Sequence, residues 1–402
     1  MGSEATDNEA ALPLSGLRVL DLTQLLPGPY ASLVLADFGA EVVKLEARGI
    51  GDPARMLPPF VPDGRHGVVF EALNRNKRSV AIDLKSEGGR ELLARLLERA
   101  DVLLEGFRPG VLARLGFGLE ELARRYPRLI VCSVTGYGQR GPLASRAGHD
   151  IDYLAVSGAL SLIGERDGPP VLPAFQIADA AGAWQAVTGI LLALRARERT
   201  GRGQHVDVSL TDAAFALMPM QLAQAAAGEP VRRGRGPLGG EHPGYRVYRT
   251  ADGEAIAVGA LEPKFWERVC RAIGREDLVG LSAALYGGLP PHELERAHAE
   301  LEALFAGRTR AAWQAVFEAI DACVEPVREL DEAIESEHVE QRGLLVESAG
   351  ARVPLPGPRL SETPARARRA APAHGADTEE LLAELGYSPE QRARLRREGV
   401  VD

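Results

Sequence analysis

Three ionisable side chains in this sequence lie where predicted loops meet helices or strands. His149 stands in the run Gly148-His149-Asp150-Ile151-Asp152, which follows a Gly/Pro-rich loop after a predicted strand. Asp179 lies thirty residues further on, where a long apolar helix is predicted to begin, and Glu262 lies in Gly259-Ala260-Leu261-Glu262-Pro263. Imidazole and carboxylate groups together can take and return protons near neutral pH. The three residues are therefore candidates for acid–base catalysis.

Each candidate also has an ordinary structural explanation. Aspartates such as Asp150, Asp152 and Asp179 cap helix N-termini, where the helix dipole stabilises a carboxylate. Glu262 would serve equally well as a first-turn glutamate of the helix that follows it. For Asp152, capping is the favoured interpretation. For His149, catalysis is favoured over a solvated loop histidine, because ligands of open α/β sheets bind beyond the carboxyl ends of the strands.

Cationic side chains cluster at the ends of two predicted strands. The run Asn74-Arg75-Asn76-Lys77-Arg78 precedes one strand, a lysine ends it, and two arginines follow the next. Such groups can bind phosphates together, although each one alone is most often a solvated charge. The predicted binding residues are Arg75, Lys77, Lys85, Arg108 and Arg114, with Asp150 as a further substrate contact.

The elements that must position these residues alternate between strands and helices in the first half of the chain. Nearly continuous apolar runs predict strands, and stretches with helical spacing lie between them. This alternation is typical of a parallel sheet covered by helices, a Rossmann-like α/β architecture. The loop after the first strand is QLLPGPYAS and not GxGxxG, which argues against a dinucleotide site. The predicted strands are Leu17–Leu22, Val42–Glu46, Ser79–Leu84, Asp101–Glu105, Leu129–Val134 and Gln204–Leu210; the helices are Pro29–Phe38, Gly88–Ala100, Leu119–Tyr126 and Ala180–Arg199.

A Gly/Pro-rich linker, Gly228–Gly244, precedes a smaller α+β unit. An Asp-Gly turn there predicts a hairpin of Tyr245–Thr250 with Glu254–Val258. Further helices are predicted over Asp212 to about Ala227, Pro263 to about Ile273, Pro291–Phe305, Arg310–Ala322 and Leu330–Ser336, and two more begin at Thr378 and Pro389. The predicted organisation is a disordered leader at 1–13, a large domain at 14–210, a linker helix and loop at 211–244, a small domain at 245–330 and a C-terminal return onto the large domain at 331–402.

Composition argues against several classes of protein. The 402 residues carry 47 Lys and Arg against 56 Asp and Glu, and this net charge of −9 disfavours nucleic-acid binding. Three cysteines stand far apart, which argues against a disulfide framework or a zinc site and fits a reducing compartment. No uninterrupted apolar run approaches the length of a membrane span, and the first dozen residues lack the features of a signal peptide. We therefore predict a cytoplasmic protein with no metal and no membrane or nucleic-acid partner.

Six motifs, in order over most of the chain, resemble CoA-transferase family III and most closely its α-methylacyl-CoA racemase branch. The resemblance begins with LSGLRVLDLTQLLPGPYASLVLADFGAEVVKLE and continues with NRNKRSVAIDLKSEGGRELLARLLERADVLLEGFRPGVLARLGFG. It continues through AGHDIDYLAVSGALSLIG, ERTGRGQHVDVSLTDAA, YRTADGEAIAVGALEPKFW and DACVEPV. It implies a Rossmann-like, CoA-binding large domain and a small α+β domain in an interlocked homodimer. It also implies an acyl-CoA substrate, with coenzyme A as part of the substrate and no other cofactor.

The resemblance assigns roles to the candidate residues. His149, Asp179 and Glu262 match the catalytic residues of the racemases, whereas the transferases use an aspartate at the Asp179 position as a nucleophile. Lys85 and Arg114 match positions that touch the nucleotide of CoA.

Two departures from the family pattern concern the substrate. An arginine common after the VVKLE strand is replaced by Ala47, with Arg48 beside it, so that CoA contact is expected to shift. The glycine-rich run that often follows the racemase aspartate is replaced by Ala-Ala-Gly-Ala-Trp. Trp184 and Phe175 are therefore expected to narrow the acyl pocket.

The leading hypothesis is epimerisation of 2-methylacyl-CoA thioesters. His149 and Asp179 would act on opposite faces of the α-carbon, and Glu262 would orient His149. The N–H groups at the helix start after Asp179 would hold the enolate oxygen. The alternative is CoA transfer between carboxylic acids, with Asp179 as the covalent nucleophile. A transferase has no evident need for His149 and Glu262, which favours the racemase. A non-catalytic CoA-binding protein, the third class, has no need for three ionisable groups in motif positions.

Overall fold

The computed structural model describes residues 12–286 and 291–402. All but two residues of the predicted disordered leader, 1–13, therefore lie outside the described residues.

A six-stranded sheet occupies the centre of the first half of the chain. Its strands pair in the order β3-β2-β1-β4-β5-β6, and every pair is parallel. The order reverses between β1 and β4, as in doubly wound α/β folds. The strands are β1 Arg18–Asp21, β2 Glu41–Glu46, β3 Lys77–Ala81, β4 Val102–Glu105, β5 Ile130–Thr135 and β6 His205–Ser209. The predicted Rossmann-like α/β class is confirmed.

Helices alternate with these strands along the chain. The longest, α7, begins after Gln176 and ends at Gly201, which adopts the left-handed conformation that favours glycine. It packs against α1 and against β5 and β6. The helices are α1 Pro27–Asp37, α2 Val68–Asn74, α3 Glu87–Leu97, α4 Val111–Arg114, α5 Leu119–Arg125, α6 Asp150–Ser157, α7 Ile177–Thr200, α8 Leu210–Ala216 and α9 Pro219–Ala226.

The hydrophobic core around the six-stranded sheet is formed mainly by the apolar residues of its strands. Their central residues are almost fully buried, and leucines from α3 and from a C-terminal helix, α15 (Thr378–Glu384), pack against them. Removing this apolar surface from water is the main stabilising contribution to such a layer. The cluster includes Leu20, Val43, Val80, Leu103, Val131, Leu92, Leu93, Leu96, Leu381 and Leu382.

The remainder of the chain adds a three-stranded antiparallel sheet and a hairpin. The predicted hairpin is present as β7 (Tyr245–Arg249) and β8 (Ala255–Gly259), and β9 (Val324–Pro326) pairs with β8. A second hairpin consists of β10 (Leu345–Ser348) and β11 (Ala351–Pro354). The helices are α10 Pro263–Ala272, α11 Pro291–Phe305, α12 Arg310–Phe317, α13 Leu330–Ile334, α14 Glu337–Gln341 and, at the end, α16 Pro389–Arg397.

Two local predictions are wrong, and some short elements were missed. The helix expected over Asp212 to about Ala227 is two helices, because Pro219 lacks the N–H that would continue the first one. The helix expected to reach Ala322 ends at Phe317. Strand β9 and helix α2 were not predicted.

The chain divides into two compact units. One comprises the described residues up to Ser157 together with Ala174–Leu217 and His338–Asp402. The other comprises Gly158–Pro173 and the described part of Met218–Glu337. Its core is aromatic: Tyr248 stacks on Phe305, and Trp313 packs against Phe305 as well.

Helix α7 is long and apolar enough to cross a membrane, judged by length and composition alone. This was not expected from the sequence, where only uninterrupted apolar runs were considered. In the fold, α7 lies along two strands of the sheet and along α1.

A buried ion pair joins the end of α1 to the start of β3. The Arg75 guanidinium donates to both carboxylate oxygens of Asp37, at 3.1 and 2.6 Å, and both side chains are fully buried. Asn76 donates to the same carboxylate at 2.8 Å. Removing one partner of such a pair leaves an uncompensated buried charge.

We expect Asp37→Asn to lower the free energy of unfolding by roughly 3 kcal/mol or more, because Arg75 then loses its counter-charge. Urea unfolding followed by circular dichroism at neutral pH measures the change.

The matched control is Glu121→Gln, the same acid-to-amide change in an exposed pair with Arg124 at 2.7 Å. It should change stability by less than about 1 kcal/mol. Equal effects of the two substitutions would contradict a structural role for the Asp37–Arg75 pair.

Candidate active site

Two of the predicted site residues, His149 and Asp150, lie at the start of α6. His149 precedes the helix, and its carbonyl oxygen accepts hydrogen bonds from the N–H groups of Asp152 (2.8 Å) and Tyr153 (3.3 Å). The carboxylate of Asp152 accepts the N–H of His149 at 2.9 Å. Asp152 therefore has the structural bond of a helix N-terminus that was favoured for it.

Asp179 is attached to this turn by a hydrogen bond between helices. Its backbone N–H, in the first turn of α7, donates to the Asp150 carboxylate at 3.0 Å. The structure thus brings His149, Asp150 and Asp179 together, although Asp179 lies 29 residues from Asp150 in sequence. Asp150 serves here as a cap for α7.

The surroundings of Asp179 favour its neutral form. Burial raises the pKa of this carboxyl group, the Asp150 carboxylate raises it further, and the nearby His149 opposes them. The resulting pKa is about 6. A carboxyl group with this pKa can both accept and donate a proton near neutral pH.

The His149 side chain is exposed. No protein hydrogen bond or ion pair holds its imidazole within the described part of the chain. Its position is therefore set by the backbone on either side.

Free N–H groups lie beside His149. The N–H groups of Asp150 and Ile151 have no acceptor among the described residues, and the same is true of Ile177 and Ala178 at the start of α7. Free amides at a helix N-terminus, with the helix dipole, bind anions. The N–H of Asp179 is excluded from such a role because Asp150 occupies it.

Glu262 belongs to the other compact unit. It is the exposed residue that precedes α10, and Pro263 is the first residue of that helix. Its side chain makes no capping hydrogen bond, but its carbonyl oxygen accepts the N–H groups of Phe265 and Trp266.

Two of the predicted phosphate-binding cations are fully buried. Arg75 binds Asp37, as described above, and the Lys77 ammonium donates to Pro29 O, Asn74 Oδ1 and Asp21 Oδ2 at 3.0, 2.9 and 3.3 Å. Burial lowers the pKa of Lys77 to about 8, against the opposing effect of Asp21. Both head groups are thus occupied by partners within the chain.

The other three predicted cations are exposed. Lys85, Arg108 and Arg114 make no side-chain ion pair within residues 12–286 and 291–402. Arg108 lines a groove of about 370 Å³ beyond the ends of β4 and β5, together with Glu105, Ser133 and Gln139.

Ala47 stands where the family pattern has an arginine, and the neighbouring Arg48 is bound within the chain. The neighbouring Arg48 donates to the Asp402 carboxylate at 2.6 Å and to the Gly399 carbonyl oxygen. The Ala47 carbonyl oxygen lies 3.0 Å from Nε2 of His374. Arg48 is therefore engaged by the last residues of the chain.

Trp184 and Phe175 lie in different settings. Trp184 packs edge-on against Tyr30 of α1, with ring centroids 6.2 Å apart. Phe175 is 67% exposed just before α7.

Sequence inspection missed Tyr153, which is buried on α6. Its phenol donates a hydrogen bond to the Gly148 carbonyl oxygen, and its ring lies edge-to-face against Tyr137 at 5.2 Å. The only sequence signal was its position four residues after His149, one helical turn away.

Taken together, an open parallel sheet, ionisable groups at two adjoining helix starts and exposed cations beyond strand ends are the features of an α/β enzyme with an anionic substrate. The chain matches the model for CoA-transferase family III over residues 14–378. It belongs to this family.

Both branches of the family are represented among its relatives. The human α-methylacyl-CoA racemase is 38% identical over 97% of this chain and 98% of its own length. The mouse succinyl-CoA:glutarate CoA-transferase is 32% identical over 100% of this chain and 93% of its own length. The crystal structure of a CaiB/BaiF family protein from Brucella suis superposes with a TM-score of 0.82 at 29% identity, covering 93% of this chain and 100% of that one.

We expect stability to report the raised pKa of Asp179. Because the folded state holds the proton more tightly than the unfolded chain, ionisation costs stability as pH rises from about 4 through about 6. Asp179→Asn cannot ionise, so it should be roughly 2 kcal/mol more stable than wild type at pH 8 and no more stable at pH 4. Urea unfolding at the two pH values measures this.

Two amide variants test whether the Asp150 carboxylate contributes to the raised pKa of Asp179. Asp150→Asn retains an oxygen for the Asp179 N–H but removes the charge. In a protein that already carries Asp150→Asn, the gain in stability from Asp179→Asn at pH 8 should therefore be smaller. Asp152→Asn should leave the gain unchanged, because Asp152 does not contribute to the shift. A gain that does not vary with pH would contradict the assignment.

Proposed function

We propose that this protein epimerises 2-methylacyl-CoA thioesters by a two-base mechanism. The observation that carries the proposal is the pairing of an exposed histidine, His149, with Asp179, whose pKa is about 6. The first turn of α6 ties the two together through Asp150. The human racemase relative supports the same activity.

In this mechanism one residue takes the α-proton while the other delivers a proton to the opposite face. The Asp179 carboxylate removes the proton from one epimer, the electron pair moves into the thioester carbonyl, and the His149 imidazolium protonates the enolate. The other epimer reacts in the reverse sense, with neutral His149 as base and Asp179 as acid. Groups whose pKa lies near the operating pH serve both roles well.

The enolate oxygen requires hydrogen-bond donors. We assign them to the free N–H groups of Asp150 and Ile151, which lie directly beside His149 at the start of α6. This replaces the donors expected after Asp179, since the N–H of Asp179 is bound by Asp150 and the N–H of Ala180 is bound by the Gln176 carbonyl oxygen. The mechanism uses no metal and no cofactor beyond the coenzyme A of the substrate.

Coenzyme A would be held by exposed cations. Lys85, Arg108 and Arg114 are the candidates, because their head groups have no partner in the described chain. Arg75 and Lys77 are not retained for this role, since both are buried in internal ion pairs. Orientation of His149 by Glu262 stays a proposal that rests on the family motif.

A second candidate is CoA transfer, which the glutarate transferase relative favours. The Asp179 carboxylate would attack the thioester carbonyl and expel CoA thiolate, which leaves a mixed anhydride of Asp179 and the acyl group. The thiolate would then attack the aspartyl carbonyl, releasing the first acid and forming an aspartyl-CoA thioester. A second carboxylate would reverse these steps and leave as the new acyl-CoA.

For the racemase we expect one deuterium at the α-carbon of either epimer after incubation in deuterated water, with inversion. His149→Gln and Asp179→Asn should each abolish inversion. Each variant keeps one base, on one face of the α-carbon, so it should still exchange the α-proton of one epimer. The epimer that exchanges should differ between the two variants. Mass spectrometry and chiral analysis of the acyl group measure this.

The control is Asp152→Asn, which keeps an acceptor for the His149 N–H and should retain inversion. Absence of label from a panel of 2-methylacyl-CoAs with the wild-type protein would reject the racemase.

For the transferase we expect hydroxylamine to trap a hydroxamate on Asp179 in the presence of an acyl-CoA. Peptide mass spectrometry would locate the modification, and Asp179→Asn should abolish it. A hydroxamate at Asp179 together with unlabelled α-carbons would decide for transfer; label without hydroxamate would decide for epimerisation.

A further inference from the structure

The peptide group between Gly148 and His149 is held at both of its polar atoms by the following turn of α6. The Tyr153 phenol donates to its carbonyl oxygen, and the Asp152 carboxylate accepts its N–H at 2.9 Å. The Cα of His149 is attached to this peptide. Since no protein group holds the imidazole in the described chain, orientation of His149 depends on this clamp.

The ring of Tyr153 is fixed in place by its surroundings. It is 7% exposed and packs edge-to-face with Tyr137. A Cβ on Gly136 would lie 2.4 Å from the ring, and one on Gly148 would lie 2.8 Å from it. Glycine at these two positions thus makes room for the Tyr153 ring beside the Gly148 carbonyl.

The phenol of Tyr153 remains a donor at all physiological pH values. Burial raises its pKa to about 12, and the neighbouring Asp179 carboxylate contributes to the rise. The hydroxyl hydrogen is directed to the Gly148 carbonyl and not to the space between His149 and Asp179.

We propose that Tyr153 is a positioning residue of the epimerisation, which holds the Gly148 peptide and thereby the base His149. The proposal rests on the proposed function. It predicts a larger effect on the face of the substrate that His149 serves, because the clamped peptide adjoins His149 directly whereas Asp179 is bound through its own N–H, to Asp150.

Tyr153→Phe tests this, because it removes the hydroxyl and keeps the ring packing. With 2-methylacyl-CoA, kcat should fall roughly five- to tenfold, the value of one neutral hydrogen bond. KM should stay unchanged, since the CoA-binding cations are untouched. Deuterium exchange should slow for the epimer whose α-proton His149 removes. It should persist for the epimer whose α-proton Asp179 removes.

The matched control is Tyr126→Phe, which removes another phenol–carbonyl bond, Tyr126 to Ala94 O at 3.1 Å. This bond joins the end of α5 to α3 and involves no residue of α6. The control variant should leave kcat and both exchange rates at wild-type values. Equal slowing on both faces, or an unchanged kcat in Tyr153→Phe, would overturn the positioning role.

A measurement without substrate separates this proposal from the proposed function. Amide hydrogen exchange of a peptide spanning 148–153 should accelerate in Tyr153→Phe and not in Tyr126→Phe. If the wild-type protein shows no epimerisation, the proposed function fails, and this measurement still decides whether the clamp exists: unchanged exchange overturns it.

Discussion

The hydrogen bond from the Asp179 N–H to the Asp150 carboxylate is the contact on which the candidate site depends. It joins the starts of α6 and α7, the two helices that carry the ionisable groups. A carboxylate at a helix N-terminus normally has a lowered pKa, because the free N–H groups and the dipole favour the anion. Here burial and the charge of Asp150 outweigh that effect, and the pKa of Asp179 rises to about 6. The same contact therefore fixes the position of Asp179 and adjusts its proton affinity.

Other buried charged groups of the sheet also join separate parts of the chain and shift one another's pKa. Burial raises the pKa of Asp21, but Lys77 and Lys44 outweigh this and hold it at about 2. Asp52 pairs with Lys44 at 2.8 Å, and its other oxygen accepts N–H groups from Leu25 and from Ala54. It thus joins the loop after β1 to the turn after β2. Such pairs cost desolvation on folding, and each becomes costly to break once it is formed.

The two chemistries found in this family place different demands on one carboxylate. A nucleophile needs only Asp179 and access to a thioester carbonyl, whereas inversion needs a second base on the opposite face. In this chain the proposed second base, His149, is exposed and close enough to Asp179 to affect its pKa. Free amides lie next to it, where an enolate oxygen would need donors. These features make the racemase the stronger proposal.

Much of the fold could be predicted from the sequence because its signals are local. Nearly continuous apolar runs such as that ending at Val134 predicted all six parallel strands to within a few residues, and Asp-Gly predicted the β7–β8 hairpin. Helix α2 and strand β9 were missed, since a seven-residue helix and a three-residue strand carry little periodicity of their own. Pro219 divides the helix expected over Asp212 to about Ala227, because proline lacks the N–H that would continue the first helix.

The sequence by itself determined the α/β class and the residue types available for chemistry, because apolar periodicity and motif spacing are properties of the chain alone. Only the tertiary structure decided which charged side chains are buried in internal ion pairs and which remain exposed. Arg75 and Lys77 looked like surface cations until packing placed Asp37 and Asp21 against them. Tyr153 did not stand out in the sequence, and only folding set its hydroxyl on the Gly148 carbonyl. The pKa of Asp179 likewise depends on burial and on a carboxylate 29 residues away, and such interactions exist only once the helices pack.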